Sequence, residues 1–250
     1  MAKREPIFNA PGVVVGLIGL FVLVHMALWL LAGQTAERWT LMLGFSPSRY
    51  AGHGVALPGG AVAGVTSWLS HAFVHGDWFH LAVNSAWMLA FGSAVARRVG
   101  DARFVALFVF GAIAGALGFL VVNWGSEGLV IGASGAISAL MGAAFRFVFR
   151  ALQVGGPRQV ADASAMVARL SVREVFADRG MLVMIGVYVA SNLMLAAFSD
   201  GLTSAGGIAW EAHLGGFFAG LLAFSLFDRP NGDRRLPPFA AADGAAHTLH

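Results

Sequence analysis

Long apolar runs alternate with shorter polar segments along the whole sequence. Each run approaches the roughly 20 residues that a helix needs to cross the hydrocarbon core of a bilayer. Lipid offers backbone N–H and C=O groups no partner, so a spanning segment is a helix or a strand of a closed barrel, and these runs are too long for barrel strands. The pattern predicts an all-α polytopic membrane protein with six transmembrane helices, at 11–32, 78–95, 104–124, 131–149, 181–198 and 212–227.

The polar segments between these runs carry weaker signals. Residues 33–78 form a long loop without clear periodicity, and such loops are usually functional or partly embedded in the membrane. In the second long polar segment, 150–180, residues 161–176 have apolar positions at roughly helical spacing, which is typical of a helix on the membrane surface. The first apolar run exceeds a signal-peptide core and has no clear small-residue cleavage site, so we expect it to be retained.

The composition supports the membrane class. Only 12% of the residues are charged, against about 25% in an ordinary soluble domain, and the mean hydropathy is +0.73. The chain has no cysteine, which excludes disulfides, thiolate metal sites and a cysteine nucleophile. Membrane topology explains the net charge of +3, so we expect the lipid bilayer and no nucleic acid as a partner.

Basic residues are distributed unequally between the two sides of the predicted spans. With six spans, the N-terminus, 97–103, 146–179 and 229–235 share one side, and they hold all of the 16 Lys and Arg residues except Arg38 and Arg49. Lys and Arg are enriched in cytoplasmic loops, so both termini are predicted to be cytoplasmic. The chain then divides into a cytoplasmic N-terminus (1–10), a six-helix membrane domain (11–227) and a flexible cytoplasmic tail (228–250).

One serine at the start of the fourth run has an unusual setting. Ser134 lies between small residues in the stretch 132–142, where a helix is predicted to begin. The free N–H groups and the positive dipole of a helix N-terminus favour a developing anion, which suits a nucleophilic hydroxyl. The alternative is that small residues allow two membrane helices to approach closely, while the serine bonds to its own backbone.

Polar residues of three predicted spans lie at the same depth. His80 and Asn84 are near the outer start of the second span, Ser134 is near that of the fourth, and His213 is at that of the sixth. Ionisable groups inside a span are costly and are usually functional. A histidine beside a serine hydroxyl is the minimum for nucleophilic catalysis. The fourth and sixth spans contain no acidic residue except Glu211, at the rim of the sixth. The lack of an acid favours a Ser-His dyad over a triad.

Each of these residues also has another explanation. Asn84 would stabilise helix packing through a hydrogen bond between helices. His213 would be a histidine at the membrane interface that is hydrated from the adjoining loop. His71, His75 and His80 would together form a metal cluster. Apart from one aspartate, that cluster lacks a carboxylate or thiol partner and has no His-Glu-x-x-His signature, so we expect no metal. These separate explanations do not account for the common depth of the polar residues on three different spans.

Three motifs resemble those of the rhomboid intramembrane proteases. The run HAFVH at 71–75, continuing through His80 to Asn84, resembles the family's signature of the first loop and second helix. GASG at 132–135 resembles its Gly-x-Ser-Gly nucleophile motif. AHLGG at 212–216, with a further glycine four residues on, resembles the His-x-x-Gly-x-x-x-Gly of its sixth helix. The three motifs occur in the order and on the helices of the bacterial six-span type.

The resemblance covers roughly residues 65–227 and implies a role for each matching residue. Ser134 would be the nucleophile, and His213 its general base and acid. His80, Asn84 and the Ser134 backbone N–H would stabilise the oxyanion of the tetrahedral intermediate. A site of this type needs no cofactor and no metal.

The resemblance also implies structural roles. Gly216 and Gly220 would let the sixth helix approach the fourth closely enough for the dyad to bond, as the small-xxx-small rule predicts. His71 and His75 would brace the first loop through hydrogen bonds. The fifth helix and the loop after it would form a lateral gate, for which no motif identifies residues.

Two positions depart from the family pattern. Many members have an aromatic residue four positions after the nucleophile, stacked on the catalytic histidine, whereas this chain has Ser138 there. Either another group orients His213, or its imidazole is held less firmly than in those members. The Trp-Arg pair that many members carry before the first motif histidine is replaced by Thr66-Ser67, so the inward face of the first loop must be braced differently.

The function that the resemblance implies is an intramembrane serine endopeptidase. It would cleave transmembrane substrate proteins near the outer face of a bacterial cytoplasmic membrane. Two alternatives stay open: a rhomboid-like pseudoprotease that binds and sorts transmembrane helices without cleavage, and a transporter or metal-binding membrane protein. The sequence identifies neither the substrate nor the oligomeric state.

Overall fold

The computed structural model describes residues 10–31, 33–52, 57–198 and 208–228. The predicted N-terminus 1–10 and tail 228–250 lie outside these residues, except for their innermost positions. The α-helices of the described chain are α1 (Gly12–Leu31), α2 (Gly33–Leu43), α3 (Gly60–Ser70), α4 (Trp78–Trp87), α5 (Ser93–Val99), α6 (Asp101–Val122), α7 (Ser134–Phe145), α8 (Val148–Met166), α9 (Val172–Ala177), α10 (Arg179–Phe198) and α11 (Trp210–Phe227). A π-helical turn, Met88–Gly92, joins α4 to α5.

Five stretches of the described chain are long and apolar enough to cross a membrane: α1, α6, α10, α11 and the continuous stretch Trp78–Val99 that contains α4 and α5. A sixth span results when α7 and the first part of α8 are counted together. The predicted all-α polytopic membrane fold is confirmed. The cytoplasmic placement of the termini and the division into three parts stay predictions.

The fourth span, predicted as one apolar run over 131–149, is bent in the structure. α7 ends at Phe145, and the chain turns by 53° before α8. Arg146 lies at the turn and is buried, and its guanidinium donates hydrogen bonds to the carbonyls of Leu170 and Leu221. A buried charged group is costly unless it is hydrogen-bonded, and a chain that turns here brings Arg146 to these acceptors.

The long loop predicted at 33–78 contains two helices that its pattern did not indicate. α2 and α3 have 11 residues each. The Tyr50 hydroxyl donates to the Gly64 carbonyl of α3 at 2.6 Å, and the Ser70 hydroxyl of α3 donates to the Leu43 carbonyl of α2 at 2.7 Å. Helices this short depend on such tertiary contacts more than on their own propensity, which is why periodicity missed them.

The surface helix predicted at 161–176 is two helices in the structure. α8 ends at Met166, and α9 begins at Val172. Ser171 caps α9: its hydroxyl accepts the Glu174 N–H, while the Glu174 carboxylate accepts the Ser171 N–H. A reciprocal capping box of this kind satisfies two free donors and starts a new helix at this point.

Small residues bring α6, α7 and α11 into close contact at the centre of the bundle. A Cβ atom at Gly216 would overlap the backbone oxygen of Gly135, and one at Gly220 would overlap that of Ala139. Glycine in these positions lets two helix backbones touch, which is how membrane helices gain packing energy without a hydrophobic driving force. The N-terminal ends of α7 and α11 are thereby held side by side.

Candidate active site

Ser134 is the first residue of α7, and the backbone just before it is shaped by a glycine. Gly132 has a φ of +110°, a conformation that residues with a side chain rarely adopt. Its N–H donates to the His71 carbonyl at 2.9 Å, which fixes the approach of the chain to α7. Ser134 thus occupies the N-terminus of a helix, where backbone N–H groups lack intrahelical acceptors.

The side chains of Ser134 and His213 meet across two spans. The Ser134 Oγ lies 2.7 Å from the His213 Nε2, a short hydrogen-bond distance between residues 79 positions apart. His213 lies in the first turn of α11, and the glycines described above allow that turn to approach α7. This arrangement places a hydroxyl beside a base that can remove its proton.

The other ring nitrogen of His213 contacts α10. The His213 Nδ1 is 2.8 Å from the Oδ1 of Asn192, which is buried. The motifs and the shared depth of the polar residues did not single out Asn192. A signal was present, because a carboxamide in the apolar run 181–198 is the kind of residue that is rarely placed in a span without a partner.

Ser138, where many family members have an aromatic residue, accepts a hydrogen bond from Tyr188 of α10. The Tyr188 hydroxyl lies 2.8 Å from the Ser138 Oγ and 3.4 Å from the His213 carbonyl oxygen. Its ring stacks on Phe217 with the centroids 4.2 Å apart. An aromatic side chain therefore does approach the Ser134–His213 pair, but it comes from α10 and not from α7.

His80 lies beside the turn that precedes Ser134. A Cβ atom at Gly132 would be 2.6 Å from the His80 Nε2, so the imidazole packs directly on this glycine. The His80 N–H donates to the Asp77 carboxylate at 2.7 Å, which caps α4. Asn84 is buried one turn later and donates from Nδ2 to the His80 carbonyl at 2.9 Å. Their roles in oxyanion binding stay predictions.

His71 and His75 belong to the connection between α3 and α4 and are buried. The His71 Nδ1 is 2.8 Å from the Ser67 carbonyl, and burial lowers the pKa of His71 to about 4. Burial also lowers the pKa of His75 to about 3. The His75 carbonyl accepts a hydrogen bond from the His25 Nδ1 at 3.1 Å. Both loop histidines are therefore neutral at pH 7. The His71 ring bonds to α3, and the backbone carbonyls of His71 and His75 accept hydrogen bonds from the turn before Ser134 and from α1.

Within the described part of the chain, no group of three or more His, Asp or Glu side chains is arranged to hold a metal ion. The imidazoles of His75 and His80 pack on one another with their centroids 5.2 Å apart, at an interplanar angle of 69°. This is an edge-to-face contact between rings.

The fold and the site together define a multi-pass helical membrane protein in which a serine at a helix N-terminus contacts a histidine of another span. The Rhomboid domain family model matches residues 62–229, well over half of the chain. The chain belongs to the rhomboid family, whose members are typically intramembrane serine proteases. A comparison with curated proteins finds no match.

Proposed function

We propose that this protein is an intramembrane serine endopeptidase that cleaves membrane-embedded substrate proteins with a dyad of Ser134 and His213. The observation that carries the proposal is the 2.7 Å contact between the Ser134 Oγ and the His213 Nε2. A serine hydroxyl is a weak nucleophile at its ordinary pKa and becomes effective when an adjacent base takes its proton. Membership of the rhomboid family supports the same reaction.

The reaction follows from this contact in two halves. The Ser134 Oγ attacks the scissile carbonyl carbon, and its proton passes to the His213 Nε2. The tetrahedral intermediate collapses when the Nε2 gives that proton to the leaving amine, so the C–N bond breaks and an ester with Ser134 remains. Water, deprotonated by the same nitrogen, then attacks the ester, releases the second product and restores the Ser134 hydroxyl.

The oxyanion of the tetrahedral intermediate needs hydrogen-bond donors close to the Ser134 Oγ. The Ser134 N–H is a free donor at the start of α7, and the helix dipole adds a positive potential there. The His80 ring packs on the turn just before Ser134, and Asn84 lies one turn further along α4. We assign oxyanion binding to these groups, since preorganised donors usually contribute more than any other single effect to such catalysis.

The substrate class follows from the location of the dyad at the ends of two spans. The scissile bond of a transmembrane helix is shielded until the helix unwinds, and the freed backbone groups must then find partners in the protein or in water. We therefore assign membrane-embedded proteins as substrates, cleaved near the outer face of a cytoplasmic membrane. Helix-breaking residues close to the scissile bond would lower the cost of unwinding.

The first test is labelling of the purified protein in detergent with a fluorescent phosphonate that reacts with activated serines. We expect the wild type to be labelled and Ser134→Ala and His213→Ala to lose the label and all cleavage of a transmembrane reporter. Ser225→Ala is the matched control, because Ser225 is an exposed serine near the opposite end of α11. Thermal unfolding in detergent shows whether each variant is folded.

Cleavage by a folded Ser134→Ala variant at the wild-type rate would contradict the proposal. A folded wild type that is neither labelled nor active would favour the pseudoprotease alternative, in which the protein binds transmembrane helices without cutting them.

A further inference from the structure

We propose that Asn192 is a positioning residue for His213, so that α10 supplies a third member to the pair formed by α7 and α11. This inference rests on the proposed protease function and adds the group that orients its base. The evidence is a continuous chain of contacts: the Ser134 Oγ is 2.7 Å from the His213 Nε2, and the His213 Nδ1 is 2.8 Å from the Asn192 Oδ1.

The contacts of Asn192 determine which nitrogen of His213 carries a proton. The Asn192 Nδ2 donates to the Tyr188 carbonyl at 2.9 Å, and a carbonyl can only accept. The amide must therefore turn its oxygen towards the imidazole, and that oxygen can only accept as well. The His213 Nδ1 must donate, which leaves the Nε2 without a proton and ready to accept the one from Ser134.

Orientation by an amide serves the same purpose as orientation by a carboxylate. In the serine protease triad the third residue holds the imidazole in the correct tautomer and does not itself take a proton, and papain-like proteases use asparagine for this task. An amide has an advantage in a span because it is uncharged. A buried carboxylate at this depth would carry a desolvation cost that a neutral side chain avoids.

Burial makes the Asn192 contacts obligatory. Asn192 is 5% exposed on a helix whose other buried residues are Met181 and Ile185. A buried polar group without a partner is costly, and Asn192 satisfies both ends of its amide, one within α10 and one on His213. An asparagine that served only to pack helices together could bond any polar group of a neighbouring helix. Asn192 instead bonds the imidazole that also contacts the Ser134 hydroxyl.

Tyr188 fixes the position of α10 along its axis relative to Ser134 and His213. It lies one turn before Asn192 and donates its hydroxyl to Ser138, which lies one turn after Ser134 on α7. Its ring stacks on Phe217, one turn after His213 on α11. These two contacts fix the axial position of α10 against α7 and α11. They place the Asn192 amide at the same depth as the His213 imidazole.

The kinetic test compares Asn192→Leu, which has a similar volume and no acceptor, with Asn192→Asp, which keeps an acceptor at the same reach. We expect Asn192→Leu to lose about 10- to 100-fold in kcat on a transmembrane reporter, because a misdirected base costs about this much, while KM changes little. Asn192→Asp should recover only part of that loss, because it keeps the acceptor for the His213 Nδ1 but, when ionised, has no donor for the Tyr188 carbonyl and carries the desolvation cost of a buried carboxylate. Ser191→Ala is the matched control: Ser191 is the exposed neighbour, and its hydroxyl bonds within α10.

A spectroscopic test needs no substitution in α10. Nitrogen-15 NMR of histidine-labelled wild type, with the His213 signals identified from a His213→Ala sample, reports the neutral tautomer directly. We expect the proton on the Nδ1. A His213 protonated on the Nε2 in its neutral form would overturn the proposal, and so would a folded Asn192→Leu with wild-type kcat.

These outcomes separate the two proposals. An inactive wild type, or an active Ser134→Ala variant, would reject the protease function, while the NMR tautomer would still decide the role of Asn192. An active wild type with an inactive Ser134→Ala and a fully active, folded Asn192→Leu would keep the protease function and reject the positioning role.

Discussion

His213 uses both ring nitrogens, and each contact comes from a different helix. The Ser134 Oγ is 2.7 Å from one nitrogen and the Asn192 Oδ1 is 2.8 Å from the other. Hydrogen bonds in a low-dielectric interior are stronger than in water and hold their geometry better. In the proposed mechanism the imidazole is thus fixed before substrate binds, which would reduce the reorganisation that the reaction needs.

At the same scale, the proposed oxyanion donors can be tested one by one. His80→Ala and Asn84→Ala should each lower kcat by about 10²- to 10³-fold, the loss seen when a single oxyanion donor is removed from a serine protease. The assay is cleavage of a transmembrane reporter in detergent, with thermal unfolding as the check on folding.

Ser85→Ala is the control for this pair, because the Ser85 hydroxyl bonds to the Leu81 carbonyl within α4. It should leave kcat near the wild-type value. If each of the two variants is folded and keeps a kcat within about twofold of wild type, neither His80 nor Asn84 binds the oxyanion, because loss of one donor should cost far more.

At the scale of elements, backbone contact between α7 and α11 is what allows the dyad to form. The Cβ positions at Gly216 and Gly220 are filled by the backbone of α7. A larger residue at either position would push the two helices apart. Because the Ser134–His213 contact bridges the same two helices, a separation of even about 1 Å would lengthen the hydrogen bond on which the proposed chemistry depends.

Gly220→Ala should therefore lower both stability and activity. Overpacking of a filled interior costs about 1–3 kcal/mol, so the thermal unfolding temperature in detergent should fall and the phosphonate labelling rate should drop with it. The matched control is Gly186→Ala on α10, where nothing lies within 4 Å of the added Cβ. Equal unfolding temperatures and labelling rates for Gly220→Ala and wild type would contradict the packing role.

At the scale of the whole molecule, a buried ion pair closes the end of the bundle opposite the dyad. Arg98 of α5 contacts Asp228, just after α11, at 2.9 Å, and both side chains are fully buried. The Arg98 Nη1 also donates to the carbonyls of Ser164 and Val167 at the end of α8. Arg169 adds a second contact to Asp228. These bonds tie α5, α8 and α11 together and satisfy charges that would otherwise be costly to bury.

The orientation of the molecule in the membrane gives a prediction at this scale. The native chain has no cysteine, so single cysteines report their own accessibility. With cytoplasmic termini, Glu127→Cys, at an exposed position between α6 and α7, should react with an impermeant maleimide on intact cells. Arg173→Cys, exposed on α9, should react only after the membrane is opened. The reverse pattern would invert the topology and place the dyad near the inner face.

Properties that depend on local composition could be predicted from the sequence alone. Apolar length predicted the spans, because a helix must be long enough to cross the hydrocarbon core. The positions of Ser134 and His213 at the starts of two such spans followed from the same runs, and the structure brings these two residues together. Their catalytic role stays a proposal.

The side-chain contacts between helices, in contrast, depend on the tertiary fold. The apolar residues of α10 are spread around the whole helix, so their periodicity does not reveal which face turns inward. Asn192 stood out as a polar residue in this run, but periodicity could not predict that its partner is His213. The Tyr188–Ser138 bond likewise joins residues 50 positions apart. The bend at Arg146 and the helices α2 and α3 also depend on distant acceptors. Apolar length is a property of one segment, whereas helix rotation and register are set by the packing of all segments together.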